Sequence, residues 1–69
     1  MTIVVDSPFQ IITTSISDIR LANSPTMRNL HFSFASGVIF ALLATLVISK
    51  KDADIYQDIA NTALKEATN

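Results

Sequence analysis

Hydrophobic and polar residues follow three different rhythms along this chain. From His31 to Ser49 the run HFSFASGVIFALLATLVIS holds no charged residue. Wound as a helix it is about 28 Å long, close to the bilayer's hydrocarbon thickness of about 30 Å. Adding Leu30 completes the match. The pattern predicts a single transmembrane helix. The alternative is a buried core helix. That would need a protein body around it, and 69 residues offer little material for one. No basic region leads into the run and no A-x-A site closes it. The segment is therefore expected to be a retained span and not a cleaved leader.

A helical rhythm of a different kind follows the span. In DADIYQDIANTALKEATN, the residues Ile55, Tyr56, Ile59, Ala60, Ala63, Leu64 and Ala67 fall on one stripe at 3.6-residue spacing. Asp54, Asp58, Asn61, Lys65 and Glu66 lie mainly off it. A lone helix of this length is marginal in water, so the stripe calls for a partner. Its small residues suit close packing on protein, and its acidic polar face suits anionic lipid poorly. Ile55, Tyr56, Ile59, Ala63 and Leu64 are the candidate partner-facing residues of this tail.

The N-terminal arm is less regular. Phe9, Ile12, Ile16 and Ile19 follow an i, i+3, i+7, i+10 spacing, which predicts a short amphipathic helix over roughly 8–21. The arm is also dense in β-branched residues that favour extended chain, and Thr2 to Val5 reads as extended.

Two Ser-Pro steps, Ser7-Pro8 and Ser24-Pro25, mark helix starts, since each places a capping hydroxyl before a proline suited to the first helical position. After Pro25 there is no further proline, and the sole glycine is Gly37. Nothing predicts a break before about Ala67, so a continuous helix of roughly 64 Å is expected. A break at Lys50 to Asp52, with Asp52 as a new cap, is the alternative. The chain divides into an arm (1–24), a span with its lead-in (25–49) and an amphipathic tail (50–69). The expected class is all-α: a single transmembrane helix with an amphipathic N-terminal arm and a helical C-terminal extension.

Composition narrows the chemistry. There is no cysteine, hence no disulfide framework and no thiolate site. Net charge is −1, which leaves no electrostatic footprint for nucleic acid. No histidine pairs with a nucleophile motif, no glycine-rich loop is present to cradle phosphate, and the span carries no charge that could serve a proton or ion path. No catalytic residue is assigned, and the chain is expected not to be an enzyme.

Within the span, Ser33, Gly37 and Ala41 recur every fourth residue and Ala44 continues the same face. Small residues at this spacing let a second helix approach closely, which makes these four the candidate helix-packing residues. Phe34, Val38, Leu42 and Leu46 form a bulkier face suited to lipid. His31 stands at the membrane boundary, where a neutral imidazole could ligate the magnesium of a chlorophyll or a haem iron. Antenna peptides use one histidine per span in this way, but their flanking aromatic pattern is missing and there is no tryptophan. A plain interfacial role is the blander alternative. No metal or cofactor of the chain's own is assigned beyond that candidate ligand; chlorophyll, carotenoid or lipid contacts are expected only within a complex. Arg28, in a first helical turn that disfavours a cation, suits a lipid phosphate or a partner carboxylate. Asp52, Asp54 and Asp58 lack the glycine turn of a calcium loop and read as a solvated face.

The expected function is that of a small single-pass accessory subunit of a hetero-oligomeric membrane complex. Its expected partners are membrane lipids and other transmembrane subunits, with no nucleic acid. Photosystems and respiratory enzymes carry many such subunits, and the chain resembles them in size and layout alone. A self-assembling protein, such as a viral coat or homo-oligomer, is a second reading. Coats usually carry acidic residues at one end and lysines at the other, whereas here acidic residues follow the lysines. A pigment-binding antenna peptide using His31 is a third. Lys50, Lys51 and Lys65 after the span, against Arg20 and Arg28 before it, place the C-terminus on the cytoplasmic, stromal or matrix side.

Overall fold

The computed structural model describes residues 7–67, which form three helices. They are α1 (Pro8–Leu21), α2 (Pro25–Ala44) and α3 (Lys50–Ala67). The extended stretch expected at Thr2 to Val5 lies outside the described residues, as do the last two residues of the tail.

Both Ser-Pro steps start helices. Ser7 Oγ accepts a hydrogen bond from the Gln10 N–H at 3.2 Å, and Ser24 Oγ accepts one from the Met27 N–H at 3.2 Å. Each hydroxyl satisfies a donor that the first turn would otherwise leave free. Ser24 is extended (ψ 155°), as a residue before proline prefers.

The continuous helix expected through Lys51 does not form. Helix α2 ends at Ala44, several residues before the alternative break at Lys50 to Asp52. The stop is a Schellman arrangement. The Leu46 N–H donates to the Leu43 carbonyl at 3.1 Å, and the Val47 N–H donates to the Leu42 carbonyl at 2.9 Å. Leu46 takes the left-handed conformation (φ 63°) that glycine usually supplies at this position. Helix α3 is then capped by Ser49 and not by Asp52. Ser49 Oγ accepts the Asp52 N–H at 3.0 Å, and the Ser49 carbonyl accepts the Ala53 N–H at 2.9 Å. The physical reason for the turn is burial. A straight continuation would leave the alanine stripe of α3 in solvent, whereas turning back sets it against the other two helices.

The resulting core joins Ile12, Ile16 and Ile19 of α1, Ala35 and Ile39 of α2, Ile48 of the turn, and Ala53, Ala60 and Ala63 of α3. The α1 isoleucines are the ones its spacing predicts, while Phe9 stays largely exposed with its ring centroid 6.0 Å from that of Tyr56. Ser15 is buried among them, and its hydroxyl donates to the Ile11 carbonyl at 2.7 Å, so it leaves no unsatisfied donor. The body is flat, with extents of 37 × 34 × 14 Å. A flat body leaves each helix with an open side, and that shapes the candidate site.

Candidate functional site

Helix α2 has two unlike faces. Ala35 and Ile39 are buried, and Phe32, Val38, Leu42 and Leu43 pack around them against α1 and α3. At 100° per residue the opposite side carries Leu30, Ser33, Phe34, Gly37, Phe40, Ala41 and Ala44, all exposed. Leu30 and Phe34 are each 58% exposed and Phe40 is 71% exposed. The small residues Ser33, Gly37, Ala41 and Ala44 lie between the Phe34 side and the Phe40 side. This gives a shallow trough with aromatic edges. A Cβ added at Gly37 would meet nothing within 4 Å.

The four candidate packing residues therefore share one face, and all four are exposed. The bulky set behaves otherwise than expected. Val38 and Leu42 are half-buried against the neighbouring helices, and of that set only Phe34 and Leu46 face outward. The cause is tertiary: α1 and α3 offer an apolar surface, and the wider side chains bury more area against it.

The tail stripe finds part of its partner within the chain. Ala60 and Ala63 are fully buried, and Tyr56 and Leu64 are half-buried. Ile55 and Ile59 remain 47% and 42% exposed, because the packed line of α3 runs through Ala53, Ala60 and Ala63 and leaves them at its margin. Polar contacts ring the body. Gln57 Nε2 donates to Ser36 Oγ at 3.2 Å, tying the middle of α3 to the middle of α2. Arg20 pairs with Glu66 at 2.9 Å and Lys50 with Asp54 at 2.7 Å, both largely in solvent. Exposed pairs of this kind contribute at most about 1 kcal/mol each.

His31 sits at the junction of α1 and α2, half-buried, beside Asp18. The two residues line a pair of adjoining clefts. One, of about 270 Å³, is also lined by Leu21, Ala22, Asn23 and Met27. The other, of about 380 Å³, is also lined by Leu30 and Phe34. Both are open; the first falls below the range for cofactor sites, about 300–1,000 Å³, and the second near its lower end. Among the described residues no group of three or more His, Cys, Asp or Glu side chains converges. Arg28 turns inward, and its buried Nε has no hydrogen-bond partner. Neither the Asp18–His31 neighbourhood nor the Ser36–Gln57 contact is visible in spacing along the chain, since each joins residues of different helices.

No protein family model, curated protein or solved structure matches this chain. What stands is its own geometry. The described chain is all-helical, and α2 is long and apolar enough, by length and composition, to cross a membrane.

Proposed function

We propose that this chain is a small accessory subunit of a membrane-protein complex, held in the bilayer by α2 and contributing structure and not catalysis. The observation that carries this reading is the open face of α2. Leu30, Phe34 and Phe40 stand in solvent around a small-residue trough, on a helix with no charged residue beyond Arg28. Exposed apolar surface that is continuous along a whole helix marks an interaction site in soluble and membrane proteins alike. The trough suits a second transmembrane helix, because small residues allow the close backbone approach that drives association in lipid.

Energy-transducing complexes, photosynthetic or respiratory, are the proposed setting, since they gather many short single-span subunits. Lys50 and Lys51, directly after the apolar run, support a C-terminus on the cytoplasm-like side.

Native electrophoresis of mildly solubilised membranes tests the reading. The chain is expected to migrate with a large hetero-oligomer and to resist carbonate extraction. Recovery in the soluble fraction, or only as a monomer or homo-oligomer, would overturn it.

A further inference from the structure

The packed body and a spanning α2 are mutually exclusive, and the conflict points to a conformational change. Gln57 rests on Ser36, near the midpoint of α2. If α2 crossed a bilayer in this arrangement, the middle of α3 would lie near the membrane centre. Asp54 and Asp58 flank Gln57 within one turn, and both are exposed. A carboxylate at that depth is strongly disfavoured, so α3 cannot accompany α2 into lipid.

The turn between the two helices carries three features that suit it to act as a hinge. First, length. From Leu30 to Ala44 the uncharged helix is about 22 Å long, short of the ~30 Å hydrocarbon layer. Continuing it through Thr45–Ser49 brings it to about 30 Å. Second, exposure. Leu46 is 88% and Val47 is 49% exposed, so the packed form holds bulky apolar groups in water that the lengthened helix would place in lipid. Third, backbone. Leu46 occupies the left-handed region at φ 63°, which costs an L-residue with a side chain and is relieved in a right-handed helix.

We propose that α3 swings away from α2 about Leu46 when α2 enters a bilayer, with residues 45–49 winding into helix and joining α2 to α3. The packed body is then the form of the chain in water, and the long helix its form in the membrane. This inference rests on the membrane reading above.

The chain has no cysteine, so Asn29→Cys with Thr62→Cys introduces the only two thiols for spin labels. Both positions are exposed. Each lies within about 11 Å, along its helix, of the Ser36–Gln57 contact, so the packed form holds them within about 30 Å. In one continuous helix the 33 intervening steps separate them by about 50 Å. Distances are measured by double electron–electron resonance on the full chain, in buffer and in phosphatidylcholine vesicles washed with carbonate. The expected result is the short distance in buffer and about 50 Å in vesicles. Carbonate-resistant chain that keeps the short distance overturns the opening and leaves the membrane reading intact. Chain that never enters vesicles overturns the membrane reading and this inference with it. At limiting lipid, Leu46→Gly is expected to lower the ratio of opened to packed chain about five-fold, because glycine removes the cost of the turn. An unchanged ratio would remove Leu46 from the hinge.

Discussion

Leu46 occupies a position where glycine is the usual residue, and it does so with its side chain almost wholly in solvent. Its effect on the packed form is thus nearly pure backbone. Leu46→Gly is expected to stabilise that form by about 1 kcal/mol, since the left-handed cost disappears and almost no packing is lost. Urea unfolding followed by helical circular dichroism measures this, and an unchanged or lower midpoint would count against the assigned strain. Burial at single residues follows the same logic. The isoleucine spacing of α1 could be read directly from the chain, because a helix face is set by period alone. The inward turn of Arg28 could not. Its Nε is buried without a hydrogen-bond partner, although local pattern assigns the side chain to the surface.

At the scale of elements, helix starts were legible and one helix end was not. Ser7-Pro8 and Ser24-Pro25 declare their helices because capping and proline geometry are local chemistry. The end of α2 has no such sign. Leu43, Ala44, Thr45, Leu46 and Val47 include no glycine, proline or asparagine, and Leu46 is held in its unfavourable conformation by the turn's own hydrogen bonds together with the burial of Ile48 and α3. The faces of α2 divide in the same way. The small-residue stripe was visible as a period-four pattern, but which neighbours it lacks is a tertiary fact. Gly37→Leu separates the two levels. The added side chain projects into open space. The packed body should therefore keep its stability or gain up to about 1 kcal/mol from better helix propensity. If the proposed complex exists, incorporation into it should nevertheless fall several-fold on native gels. Equal incorporation of wild type and variant would free the trough from any packing role.

For the molecule as a whole, four of the nine buried core residues are alanines, and the body is only 14 Å thick. Cores of this size rarely supply more than about 3–5 kcal/mol. Ile12 and Ile19 are the largest fully buried side chains, so each carries a large share. Ile19→Ala is expected to cost about 2–5 kcal/mol, enough to unfold the three helices together. Loss of the cooperative thermal transition would show it; a variant that melts like the wild type would mean that α1 is not integral to the body. Marginal stability also bears on the proposed opening. A body held by a small core of isoleucine and alanine is one that transfer of α2 into lipid can outweigh.

The helical rhythm of the tail, the two capped starts, the isoleucine spacing of α1 and the uncharged run that suits α2 to a membrane were all legible along the chain. Each of these is written in local chemistry or in a period along one element. Where the apolar run stops being helix, and which side of α2 stays open, came from the packing of the three helices. Packing also turns α3 back across α2 where one continuous helix was expected. These outcomes depend on how much apolar surface distant segments bury against one another, a quantity that no single stretch of the chain contains.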